Sequence, residues 1–288
     1  MAGIIKLAHK DIGSVRVATV TGKTGAEIAD AFERTKAAFV VAPEGILSGE
    51  SESCESQIEK DILPKMKKFQ NVFLVIGCVR PNTDRLDGCS SDNLAYTVSS
   101  DNGIIDVYGK LQPTMWEQSC WKNGIKSIDF SSKMVSNNLQ TDSLSFKFSS
   151  VVCYDADFSG PIAKAADKGS SLILNPANDW TDVRHHFAVA VIRAVENRVA
   201  IVKAEKSIDP VIVDPFGNVV ARGTGAHDSN LEGEVKISRP LKISWLRQQA
   251  PYWLCIVGYA VFVGLDIWML VQRRRRERQT LLLNTSSD

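Results

Sequence analysis

Residues 252–271 read YWLCIVGYAVFVGLDIWMLV, 20 residues with Asp266 as their one charge. A helix of that length rises ~30 Å, enough to cross the hydrocarbon core of a bilayer. Trp245, Tyr252, Trp253 and Trp268 lie near its ends, where interfacial aromatics are expected, and Arg273, Arg274, Arg275, Arg276, Glu277 and Arg278 follow as a charged stop. The competing reading is a buried core helix, but few core helices stay apolar all round over this length. We therefore expect a transmembrane helix at 252–271 and a basic polar tail at 272–288. Asp266 lies within two turns of the basic end. A carboxylate in hydrocarbon costs a few kcal/mol, which calls for a partner on another helix.

The rest of the chain is ordinary in composition. Of 288 residues, 44% are hydrophobic and 23% charged, enough for one large domain over about residues 10–238. A net charge of +1 offers no broad basic surface, so no nucleic-acid partner is expected. Lys6, Lys10, Asp11 and Arg16 interrupt the apolar N-terminus, which therefore does not read as a signal peptide. The six cysteines contain no CxxC pair, which argues against a zinc ribbon or a dithiol redox motif. Cys54, Cys78, Cys89 and Cys120 permit two disulfides or four reduced thiols.

Apolar, β-branched runs predict strands at 15–20, 39–42, 72–79, 143–148, 150–154, 171–175, 200–204, 211–213 and 219–221. Segments 93–99 and 104–108 read as a hairpin across Asp101-Asn102-Gly103. Helical spacing marks 25–38, 58–69, 161–168 and 184–198, with Pro64 expected to break the second. Most strands lack a polar face, so the sheets should be covered by helices, giving an α/β layered domain. In the last helix Arg193, Glu196 and Arg198 sit among apolar residues and read as a buried ion-pair network. One or both of His185 and His186 are expected to orient its start or to bond to backbone, in preference to forming a Cys–His dyad.

Three features carry chemistry when taken together. Glu44 follows the strand FVVA and Pro43. Lys110 follows the strand IIDV in Tyr108-Gly109-Lys110. Cys153 ends the run Ser150-Val151-Val152, ahead of Tyr154 and Asp155. Singly they are a loop carboxylate, a surface amine and a small buried thiol. In this order they resemble the nitrilase, or carbon–nitrogen hydrolase, superfamily, over roughly residues 13–225. Asn175-Pro176-Ala177-Asn178-Asp179-Trp180, the histidines with Arg193-Ala194-x-Glu196-Asn197-Arg198, and Asp214-Pro215-Phe216-Gly217 resemble further motifs of that superfamily. Within it the chain is most similar to the catalytic domain of apolipoprotein N-acyltransferases.

The resemblance implies a four-layer αββα sandwich. It implies Glu44 as general base, Lys110 as oxyanion partner and Cys153 as nucleophile, with Glu117, Tyr154 (through its backbone N–H) and Asn178 auxiliary. Glu117 stands one residue closer to Lys110, and Trp180 one residue earlier, than the subgroup's pattern. Asp155 stands where the family often has glutamate, and the transferases' preceding membrane helices have no counterpart in this sequence. The function implied is a membrane-anchored enzyme that forms an acyl-thioester on Cys153. It would pass the acyl group from a donor to an amine or to water, without metal or organic cofactor. The alternatives are a small-amide amidohydrolase that is merely anchored, and an inactive assembly module; homo-oligomers fit either. The basic tail favours a domain facing outward over a tail-anchored cytosolic one.

Overall fold

Burial with a period of two builds the first sheet. In β1 (Asp11–Thr19), Val15 and Val17 turn to the molecule's centre and Ala18 to the opposite face. The computed structural model describes residues 11–81, 91–114, 125–133, 143–179, 185–206, 208–223, 230–241 and 245–285. Along the chain follow α1 (Gly25–Arg34), β2 (Phe39–Val41), β3 (Leu47–Ser48), α2 (Cys54–Gln57), a π-turn at Ile58–Ile62 and α3 (Leu63–Met66). Next come β4 (Phe73–Pro81), β5 (Ser91–Ser99), β6 (Gly103–Gly109), β7 (Ile128–Lys133), β8 (Ser143–Ser150) and a 3-10 turn at Cys153–Asp157. The series closes with α4 (Ser159–Asp167), β9 (Ser170–Ala177), α5 (Phe187–Asn197), β10 (Ala200–Glu205), β11 (Val211–Val213), β12 (Val219–Arg222), β13 (Leu231–Ser238) and α6 (Trp245–Thr285).

Two sheets result. One runs β13-β1-β2-β4-β5-β6, with β3 paired to β4; the other runs β12-β11-β10-β9-β8-β7. Each is parallel at its centre and antiparallel at its edges. Phe39 stacks on Phe73 at 5.3 Å between ring centres and meets Phe148 edge-on at 4.9 Å, so aromatic rings from both sheets fill the space between them. On the outer face of the first sheet, Val40, Leu74 and Ile76 pack with Ile28, Phe32, Ile58 and Met66. On the second, Ile162 and Ala165 of α4 and Ala190 and Ala194 of α5 cover the strands. The order is helix, sheet, sheet, helix, the expected αββα sandwich.

Several elements depart from expectation. Segments 143–148 and 150–154 are one strand, β8, followed by a 3-10 turn, because Cys153 takes the left-handed conformation at φ +45°. Pro64 does not break its helix: it occupies the first turn of α3, where the missing N–H is harmless. Helix α1 stops at Arg34, capped by the N–H of Thr35 on Phe32 O. Strands β7 and β13 carry no clear strand pattern in the sequence, yet both form. Cys54 and Cys78 form a disulfide, their Cα atoms 6.5 Å apart, while Cys89 and Cys120 lie outside the described residues.

The chain divides into two compact units, Met1–Lys242 and Ile243–Asp288. In the second, Ala250–Arg274 is long and apolar enough to cross a membrane, and none of it is buried.

Candidate active site

Parallel strands deliver the chemistry at their carboxyl ends. Glu44 follows β2, Cys153 follows β8 and Asn178 follows β9, the end of an α/β sheet where ligands collect. Lys110 immediately follows β6, and its N–H is held by Asn93 O of β5 at 2.9 Å. The two sheets touch here directly, because Glu44 N donates to Ala177 O at 3.3 Å.

Glu44 and Lys110 are both buried, and the ammonium meets Glu44 Oε1 at 2.9 Å. Asn93 Nδ2 donates to the same oxygen at 2.5 Å. Gly77 of β4 lies against the backbone that carries Glu44. A Cβ there would stand 2.4 Å from Glu44 Cα and 2.8 Å from both Gly45 N and Pro43 O, all backbone atoms. Gly77→Ala must therefore displace the segment carrying Glu44. We expect a loss of about 1–3 kcal/mol in stability, as for overpacking in a core, and a larger fractional loss of activity. Thermal melting of the full chain beside its turnover checks this; a variant with wild-type turnover refutes it.

The left-handed φ of Cys153 swings its side chain out of line with β8. A non-glycine residue in that region costs about 1–3 kcal/mol and persists only where its surroundings enforce it. Asp155 supplies the enforcement. Its carboxylate accepts from Tyr108 Oη at 2.7 Å, Leu111 N at 3.0 Å, Gln112 N at 2.7 Å and Val152 N at 3.3 Å. One buried side chain thus ties the turn around Cys153 to the segment around Lys110. Cys153 is 6% exposed. Burial pushes its thiol well above the ordinary value, and the charge of Glu44 adds to this, while Lys110 and a hydrogen bond from the Asn178 backbone pull the other way. At neutral pH the resting sulfur is a thiol.

Beside Asn178 lies a cluster of charges. Lys203 Nζ contacts Asp179 Oδ2 at 2.9 Å, Glu205 Oε1 at 2.5 Å and His186 Nδ1 at 3.0 Å. His186 also meets Asp179 at 2.6 Å and, through Nε2, Asp157 at 2.8 Å. Those bonds to Asp157 and Asp179 raise His186 to about 9. Asp179, His186 and Glu205 offer ligand atoms within 4.8 Å of one another, a spacing that suits a divalent ion. The ammonium of Lys203 already touches all three. The expected Arg193, Glu196 and Arg198 network is different in kind. Arg193 pairs with the half-exposed Glu196 but donates mainly to Ala156 O at 3.1 Å and Asp157 O at 2.8 Å. Arg198 takes a left-handed turn and lies over the Phe216 ring.

The carbon–nitrogen hydrolase family model matches residues 14–232, most of this chain. The chain belongs to the carbon–nitrogen hydrolase family. Among curated members, an apolipoprotein N-acyltransferase of Borreliella burgdorferi is 24% identical over 224 residues, covering 72% of this chain and 43% of the relative. Apolipoprotein N-acyltransferase 2 of Treponema denticola is 25% identical over 162 residues, covering 47% of this chain and 30% of the relative. The chain therefore spans less than half the length of these relatives. Among solved structures, an amidase from Nesterenkonia sp. superposes with a TM-score of 0.59 at 16% identity, covering 80% of this chain and 93% of the amidase. The same amidase in complex with butyramide gives 0.58. That likeness is one of fold, and it is the nitrilase fold.

This carbon–nitrogen hydrolase brings Glu44, Lys110, Cys153, Tyr154 and Asn178 to one end of the sandwich. Glu117 lies outside the described residues, as does Trp180. Asn93, Gly77, Lys203 and Glu205 join the site without being marked by any motif. The last two carry a faint signal: charges two residues apart in the strand AIVKAE face the same way, which an apolar buried strand has no reason to do.

Proposed function

We propose that Glu44, Lys110 and Cys153 form a catalytic triad that builds an acyl-thioester on Cys153. The observation that carries this is the buried Lys110–Glu44 pair at 2.9 Å, whose charges act on the Cys153 thiol. A thiol held protonated by burial needs a base at the moment of attack. Glu44 takes the S–H proton as sulfur bonds to a carbonyl carbon. The resulting oxyanion is met by Lys110 Nζ and the Tyr154 N–H. The tetrahedral centre collapses, the leaving group departs with the proton from Glu44, and the thioester remains. A second nucleophile then loses its proton to Glu44 and attacks the thioester, and the thiol is restored.

The membrane-length helix Ala250–Arg274 and the apolipoprotein N-acyltransferase relatives favour a lipid acyl donor and an amine acceptor. This reading takes a catalytic domain at about residues 10–238, a membrane helix at 252–271 and an outward-facing domain. The arginines after the helix support that orientation, and so does the Cys54–Cys78 disulfide, which suits an oxidising compartment. A second reading, hydrolysis of a small amide, is favoured by the burial of Cys153, which is 6% exposed.

Intact-mass spectrometry after incubation with phospholipid vesicles separates the two. The expected result is a gain of one fatty acyl chain that hydroxylamine removes and that the Cys153→Ala protein lacks. Absence of the gain, with turnover of a small amide such as butyramide, reverses the preference. If neither acyl gain nor amide turnover depends on Cys153, the triad reading fails.

A further inference from the structure

The end of β9 touches both halves of the site through consecutive residues. Ala177 O accepts from the Glu44 N–H at 3.3 Å, and the backbone amide of Asn178 lies near enough to the Cys153 thiol to favour its charged form. The next N–H, that of Asp179, donates to Glu205 Oε2 at 2.9 Å. The groups on either side of the Asn178 amide are thus held, one by the backbone of Glu44 and the other by Glu205.

What holds the Asp179 N–H is a closed knot of charge. Lys203 and Glu205 project from the same face of β10, and Lys203 is paired in register with Asn175 and Glu205 with Ala177 on β9. The Lys203 ammonium is 3% exposed and joins Asp179 to Glu205. Burial alone would strip its proton, but the charges of Glu205 and Asp179 outweigh that and keep it an ammonium. His186 closes the knot on the other side, bridging Asp179 to Asp157, the last residue of the Cys153 turn. Arg193 holds that last residue by its carbonyl oxygen. The knot therefore reaches the sulfur from two directions, through the Asn178 N–H and through the turn on which Cys153 sits.

We propose that Lys203 is a positioning residue for the nucleophile: gripped by Asp179 and Glu205, it sets the peptide of Asn178 so that its N–H faces the Cys153 sulfur. The N–H then stabilises the developing thiolate as Glu44 removes the proton. This rests on the reading of Cys153 as nucleophile.

The test is the pH profile of Cys153 alkylation by iodoacetamide, read by peptide mass spectrometry on the full chain in detergent micelles. The charged groups facing the thiol are Glu44, Lys110 and Asp179. Lys203→Met should move the profile toward alkaline pH by about one unit, a tenfold fall in reactivity at a fixed pH below it. Lys203→Arg keeps the cation and should restore most of the shift. A Lys203→Met protein that melts like wild type and keeps the wild-type profile overturns the proposal, as does a shift that arginine leaves uncorrected. If Lys203→Met does not fold, hydrogen exchange on the wild type decides. The amides of Asn178 and Asp179 should exchange as slowly as those of β9, and exchange within seconds at neutral pH overturns the proposal. A wild-type Cys153 that iodoacetamide never labels defeats instead the nucleophile reading beneath it.

Discussion

Glu44→Gln should lower the rate of Cys153 acylation by about 10²–10⁴-fold, the usual worth of a positioned general base. The substitution keeps the side chain's shape and one oxygen to accept from Lys110 Nζ and Asn93 Nδ2, so the fold should survive with little change in melting temperature. What it removes is the acceptor for the S–H proton. Because burial raises the Cys153 thiol, no standing thiolate compensates at neutral pH. Single-turnover acylation by an activated acyl ester, followed by mass, measures the effect. The loss should shrink as pH rises, because hydroxide then removes the proton that Glu44 no longer takes. A Gln variant that acylates at the wild-type rate near neutrality rules Glu44 out as the base.

Lys110→Met should damage both stability and rate. Its ammonium and the Glu44 carboxylate are 1% and 6% exposed at the side chain, and removing one partner of such a pair costs about 3–5 kcal/mol, because the other charge stays buried and uncompensated. The rate should fall by about 10²–10³-fold from loss of an oxyanion donor. The two substitutions act on one unit, so the Glu44→Gln, Lys110→Met double variant should be little slower than the worse single one. Denaturant melts and acylation rates on the same four proteins test both statements. Fully multiplicative losses would show that the two residues work independently.

Both residues are legible in the sequence because each ends an apolar run, and the chain order of Glu44, Lys110 and Cys153 is distinctive. The layered architecture is legible for a related reason: strands without a polar face need cover on both sides. What stays hidden depends on contacts that local pattern does not encode. Val151, Val152 and Tyr154 have the composition of a strand, and only the enclosing bonds of Asp155 bend that run into a turn. Gly77 reads as an ordinary residue in an apolar strand, and its use appears only when Glu44 is laid across it. His186 is expected to orient a helix; it precedes α5, but its ring makes no cap bond there and turns to Asp157, Asp179 and Lys203 instead. Its partners Asp157 and Asp179 come from other loops, and Lys203 from another strand. Strand β13 (LEGEVKIS) carries three charges in eight residues, which masks its role as the neighbour of β1.

Glu44 and Cys153 belong to different sheets, and those sheets meet across a packed interior of phenylalanine rings. In the mechanism proposed above, the distance between Glu44 as base and the Cys153 sulfur is therefore set by the thickness of that interior as much as by any loop. Residues such as Phe39 and Phe148, fully buried between the sheets, would then act as the spacers of the proposed reaction centre. Natural variation at these positions is constrained twice over, by foldability and by reactivity, and a substitution that the fold tolerates can still be silenced as an enzyme.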